Sequence, residues 1–158
     1  MFLEIIKLIV YTLIPFLELR FSIPWGILTG LNIWLVLAIT IITNILLGVL
    51  LYPLIDTIIR IIEKIKFVEK IYTFYIIKTR KKINKYVEKY GEIGVALFIS
   101  IPLPGSGVYS GALAAYLLGL SYRKFIIACV IGVLIASAAV TLITISGSSA
   151  FEIFIKGV

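Results

Sequence analysis

The segment Glu18-Leu-Arg20-Phe-Ser-Ile-Pro24-Trp-Gly26 places an acid, a base and a helix breaker in a stretch with no other formal charge from Leu8 to Ile55. A charge at membrane depth costs about 2.5–3.5 kcal/mol on insertion scales, so it is paired or faces a watery cavity. Residues two apart leave a helix on different sides, so Glu18 and Arg20 are expected to find separate partners. Three readings follow. In the first, Glu18 is a proton-coupling carboxylate or cation ligand, and Arg20 is an anion contact or its counter-ion. In the second, Arg20 caps the freed carbonyls of a broken helix and Glu18 meets backbone N–H groups of the other half of the chain. In the third, both lie in an interfacial loop of a four-span protein.

A second break lies at Pro102-Leu-Pro104-Gly105-Ser106-Gly107. The prolines free backbone carbonyls, and Gly105, Ser106 and Gly107 allow close approach and point N–H groups into whatever space lies there. Broken half-helices meeting near the bilayer midplane form the binding sites of many transporters. Pro15, Pro24 and Gly26 are expected to shape the first break, and Tyr109 and Ser110 to add hydroxyl contacts at the second. Gly111 and Ala115 form a small-residue face for close packing. Asn44 is a supporting polar group at depth. Thr40, Thr43, Ser137 and Thr141 read as interhelical hydrogen bonds. With no histidine, no Cys/His cluster, no paired nucleophile and base and no phosphate loop, neither an enzyme, a metal site nor a cofactor is expected.

These residues need elements to carry them, and the composition says which kind. The chain is 61% hydrophobic and 15% charged, against about 45–50% and about 25% in soluble domains. Its solvent is lipid. Lys7 and Glu18 enclose ten uncharged residues, about 15 Å of helix, or half the hydrocarbon thickness. Arg20 and Asp56 enclose 35, about 52 Å, more than one crossing requires. The economical arrangement is a re-entrant hairpin, entering over Leu8 to Leu17, turning near Glu18 to Gly26 and leaving by Leu31, followed by a span from Trp34 to Ile55. The second half repeats it: Ile93 to Ile101 enters, Val108 to Leu120 returns, and Phe125 to Ser146 spans. Asn32 and Ser121 to Lys124 mark the surface.

At an offset of 89 residues the halves overlay, pairing Pro15 with Pro104 and Gly30-Leu31 with Gly119-Leu120. A hairpin and one span per half give the halves opposite orientations, an inverted repeat. The expected fold is therefore an all-α integral membrane protein of two inverted repeats, each a re-entrant helical hairpin plus a transmembrane helix. It forms one membrane domain over 1–158, with repeats at 1–55 and 93–158. The linker, 56–92, reads as an amphipathic basic helix. The interval Arg60 to Lys89 holds ten of the fifteen basic residues, so the net charge of +7 points to the cytoplasmic membrane face and its lipids, not to nucleic acid. Four simple spans give the same positive-inside count. The two arrangements differ at the termini, which are extracellular with hairpins and cytoplasmic with four spans. Cys129, the single cysteine, reads as a small packing residue.

Glu18-Leu-Arg20 with Ile23-Pro24 and Gly26, then Tyr90-Gly91, Phe98, Ile101-Pro102-Leu-Pro104-Gly105, Gly107, Gly111-Ala-Leu and Gly132-Val-Leu-Ile, closely resembles the small multi-drug export protein family. That family is similar to a distant branch of the DedA and SNARE-associated (VTT-domain) superfamily. The resemblance implies paired re-entrant hairpins and either proton-dependent transport or lipid translocation. The substrate, a small molecule or a lipid, is unknown. A chain this short leaves room for a homodimer that encloses a path. One departure limits the analogy: no charged residue lies between Ile93 and Tyr122, so a symmetric two-acid mechanism is not expected.

Overall fold

The computed structural model describes residues 2–62, 90–101 and 106–156. They are mostly helical, with no strand among them. In chain order the helices are α1 (Phe2–Leu13), α2 (Glu18–Leu28) and α3 (Ile33–Ile62), α4 (Tyr90–Ser100), and α5 (Val108–Leu118) and α6 (Tyr122–Lys156).

Among the described residues, two helices are long and apolar enough to cross a bilayer, over Ile33–Ile59 in α3 and Tyr122–Gly147 in α6. Only 28% and 44% of their apolar windows are buried, so the apolar side chains face outward rather than into a soluble core. Leu46, Leu50, Ile131 and Leu142 are among those exposed. Helices α1, α2 and α5 are 11 or 12 residues long, about 16–18 Å at 1.5 Å per residue and too short for a core of about 30 Å.

α1 and α2 form an antiparallel hairpin. Leu8 lies beside Gly26, Thr12 Oγ1 donates to Ser22 Oγ at 2.8 Å, and Tyr11 meets Phe21 and Trp25 edge-on. The turn falls at Ile14–Leu17, earlier than the Glu18 to Gly26 expected from sequence. The position before a proline resists the α conformation, so Pro15 ends α1, and Phe16 takes a left-handed φ of 72°. Pro24 does not break α2 but sits inside it. Gly26 is a packing residue, since a Cβ there would lie 2.7 Å from a Val36 methyl.

The returning helices end alike. Leu31 N–H bonds to Gly26 O and Gly30 N–H to Ile27 O; 89 residues on, Leu120 N–H bonds to Ala115 O and Gly119 N–H to Tyr116 O. Each pair of bonds closes around a left-handed glycine, Gly30 at φ 81° and Gly119 at φ 77°, the usual way to satisfy the last carbonyls of a helix. Asn32 Oδ1 then accepts from Trp34 and Leu35 N–H and caps the start of α3.

The long helices run antiparallel: Tyr52 stacks on Phe125 at 5.0 Å, and a turn further back on α3, Gly48 meets Cys129. α2 packs on α3 and α6, and α5 packs on the same two. Ile99 of α4 fills the space left by Gly111 and Gly132, with the Ala96 carbonyl against Gly132. α3 continues through Asp56 to Ile62, and Tyr90 to Glu92 lie in α4, so both described ends of the expected linker belong to helices. The rest of that linker lies outside the described residues.

No atom lies within 4 Å of a Cβ built at Gly30, so only its backbone conformation is at stake there. Gly30→Ala is expected to cost about 1–2 kcal/mol, the penalty of a left-handed L-residue, and Gly30→Asn less. Thermal unfolding of the purified protein in detergent checks both.

Candidate functional site at the crossing of the half-helices

The N-terminus of α5 presents N–H groups with no intrahelical partner. Gly107, its cap residue, is extended and offers no side-chain hydrogen bond. Glu18 supplies the cap from the other hairpin. Its carboxylate, 2% exposed, accepts from Val108 N–H at 3.1 Å and Tyr109 N–H at 3.4 Å. Negative charge at a helix N-terminus is also favoured by the helix dipole. The berth exists because residue 107 is glycine: a Cβ there would overlap the Glu18 carboxylate.

Arg20 serves the opposite kind of end. Its Nη2 donates to the carbonyls of Ile101 and Ser106, both at 2.9 Å, to Ile99 O at 3.4 Å and to Ser106 Oγ at 3.1 Å. Ile99 and Ile101 lie where α4 stops, and cations suit a helix C-terminus; Ser106 lies just before the cap of α5. Ser106 Oγ in turn donates to Ile101 O across the break. In the reverse direction, Tyr109 OH of α5 donates to Leu13 O, the last residue of α1, at 2.6 Å. Arg20 of α2 therefore caps α4, and Tyr109 of α5 caps α1.

Glu18 and Arg20 also meet each other, with Arg20 Nη1 3.4 Å from Glu18 Oε2. This corrects the expectation that residues two apart would part company. That rule assumes helical geometry at both, whereas Glu18 has a positive φ of 44° and its side chain leaves in another direction. A non-glycine residue held there is strained by about 1–3 kcal/mol, and such strain collects at functional sites.

A cavity of about 200 Å³ opens beside the pair, lined by Pro15, Phe16, Glu18, Arg20, Gly107, Tyr109, Ser110 and Leu113. The structure thus brings Pro15, Glu18, Arg20, Gly107, Tyr109 and Ser110 together, with Ser106 bound to Arg20. Pro24 and Gly26 are not among the lining residues. Pro102, Pro104 and Gly105 lie outside the described residues. Asn44 is fully buried on α3, and neither of its amide atoms has a hydrogen-bond partner among the described residues. Phe16 and Leu113 went unrecognised in the sequence because an apolar residue in an apolar chain carries no signal. The Thr12–Ser22 contact was equally silent, although two hydroxyls on facing arms of a hairpin could have suggested it. No group of three or more potential metal ligands occurs among the described residues.

Two span-length apolar helices, with shorter helices whose ends are met by Glu18, Arg20 and Tyr109, are those of an integral membrane protein. The family model described as "Putative small multi-drug export protein" matches residues 18–139, and the chain belongs to that family. The match begins at Glu18 and, among the described helices, takes in α2 to α5 and the first half of α6. The family's name is that of an export protein, in keeping with a membrane transporter. No curated protein and no solved structure matches the chain.

Gly107→Ala is expected to expel the Glu18 carboxylate and leave a buried charge without its partners, at about 3–5 kcal/mol. Gly94→Ala, where a Cβ meets nothing within 4 Å, is the control and is expected to hold or gain stability. Unfolding midpoints of the two variants in one detergent check the contrast.

Proposed function

We propose that the chain is a secondary transporter in which the Glu18 junction with the N-terminus of α5 is a proton-sensitive contact between two re-entrant hairpins. The observation that carries this reading is a carboxylate, buried beside a cavity, whose partners are the backbone of the opposing half-helix. Charge-assisted hydrogen bonds are roughly twice as strong as neutral ones. Protonation of Glu18 weakens its hold on Val108 and Tyr109, leaves Arg20 without its counter-charge, and lets α2 and α5 separate. A polar molecule entering the cavity meets the same groups.

The matching helix ends at Gly30 and Gly119 and the reciprocal capping by Arg20 and Tyr109 support an inverted repeat. In this arrangement the basic linker is cytoplasmic and both termini are extracellular. A homodimer and a place in the DedA-like superfamily accord with it.

A second reading, lipid translocation, draws on an apolar groove of about 450 Å³ between α1 and α3, lined by Ile9, Leu13, Ile39, Ile42, Thr43, Leu46, Leu47 and Leu50. It reaches the end of α1 at Leu13, two residues before Pro15 of the cavity. Scrambling of a fluorescent phospholipid without any ion gradient favours this reading, and its absence across several headgroups sets it aside.

Proteoliposomes with an imposed pH gradient and an entrapped pH-sensitive dye test the first reading. Wild-type protein is expected to dissipate the gradient at least tenfold faster than Glu18→Gln, which keeps the shape of the side chain and loses its charge. Equal rates remove Glu18 from the mechanism.

A further inference from the structure

Val36, Thr40, Asn44 and Gly48 form a buried stripe on α3, each four residues from the next. At one end Val36 packs on Gly26 of α2, and at the other Gly48 lies against Val108 of α5 and Cys129 of α6. Asn44 is one helical turn, about 6 Å, from Gly48, and Val108 is the residue whose N–H holds the Glu18 carboxylate. Asn44 is therefore one turn of α3 from the residue that packs on Val108, on the α3 side of the Glu18–Val108 junction. The cavity lies on another side, because no α3 residue lines it.

The neighbouring hydroxyls are committed. Thr40 donates to Val36 O, Ser137 to Leu134 O and Thr141 to Ser137 O. Asn44 alone among these polar groups at depth keeps both a donor and an acceptor unpaired. A buried amide without partners is destabilising, and buried polar groups left unsatisfied by protein are the sites that bind internal water, whereas truly dry cavities are apolar. Glu18 and Arg20 are the charged side chains that face this region. α3 carries none from Ile33 to Ile55, α5 carries none, and α6 carries none from Phe125 to Phe151.

We propose that Asn44 binds a water molecule on the α3 side of the Glu18–Val108 junction, and that this water gives the Glu18 carboxylate a second route of proton exchange besides the cavity. The water site stands independently; the route rests on the proton-coupled reading. A coupling carboxylate must reach both membrane faces in turn, and a cavity on one side with a hydrated amide on another supplies two approaches to one group.

Asn32, Asn44 and Asn84 are the only side-chain amides, because the chain has no glutamine. In full-length protein labelled with 15N-asparagine and held in lipid nanodiscs, Asn44→Leu identifies the Asn44 signal by its loss. Magnetisation transfer from water to that amide in the wild type is expected; transfer at exposed Asn32 with none at Asn44 overturns the site. In the pH-gradient assay Asn44→Leu is expected to slow dissipation at least tenfold, and Asn44→Ser, which can still hold water, to retain a measurable part of it. Wild-type flux in Asn44→Leu, with Glu18→Gln slow, overturns the route. If Glu18→Gln is as fast as wild type, the coupling reading falls, and the water-transfer result still decides the site.

Discussion

Backbone groups freed by a broken helix find no water inside a bilayer, and each one left unsatisfied costs several kcal/mol. In this chain the open helix ends are met by exchange between the α1–α2 hairpin and helices α4 and α5. The N–H groups at the start of α5 are taken by Glu18, the carbonyls of Ile99 and Ile101 at the end of α4 by Arg20, and the end of α1 by Tyr109. The side chains of α2 and α5 thus reach across to one another's neighbours, while both helices pack on α3 and α6. Replacing a buried ion pair by apolar residues is often neutral or stabilising, so the pair is better understood as specifying one arrangement than as adding stability. Its exposure to a cavity makes the same contacts available for function.

The crossing is asymmetric in chemistry and symmetric in position. At the offset that aligns Gly30 with Gly119, Glu18 corresponds to Gly107 and Arg20 to Tyr109. One half supplies the carboxylate and the other the absent Cβ that receives it. One half caps carbonyls with a guanidinium and the other with a phenol. A charged group is therefore needed only once, which accounts for the lack of charge between Ile93 and Tyr122.

Much of this was legible in the sequence, for physical reasons. Segment lengths set against a bilayer of about 30 Å separated short arms from spans, and α3 and α6 cover the expected spans. Gly30-Leu31 and Gly119-Leu120 were visible as a pair because a left-handed helix stop favours glycine. Of the readings left open for Glu18 and Arg20, the described contacts are those of the capping one, and they leave the proton-coupling reading to experiment. The turn of the first hairpin was misplaced because Pro24 looked like a breaker, whereas Pro15 with a left-handed Phe16 makes the turn. The Glu18–Arg20 contact was missed because it depends on a backbone angle that residue types do not encode. The Tyr109–Leu13 bond joins residues 96 apart, beyond any local pattern.

The central claim, that two hairpins meet inside the bilayer through the Glu18 junction, is tested most directly by the side of the membrane on which short segments lie. Single cysteines at Phe2, Arg123 and Gly157, in a Cys129→Ala background, can be probed in intact cells with a membrane-impermeant thiol reagent. The account predicts labelling at residues 2 and 157 and none at 123. Labelling at 123 with silent termini would contradict it, because the short helices would then cross the bilayer and Glu18 and Arg20 would belong to a surface loop.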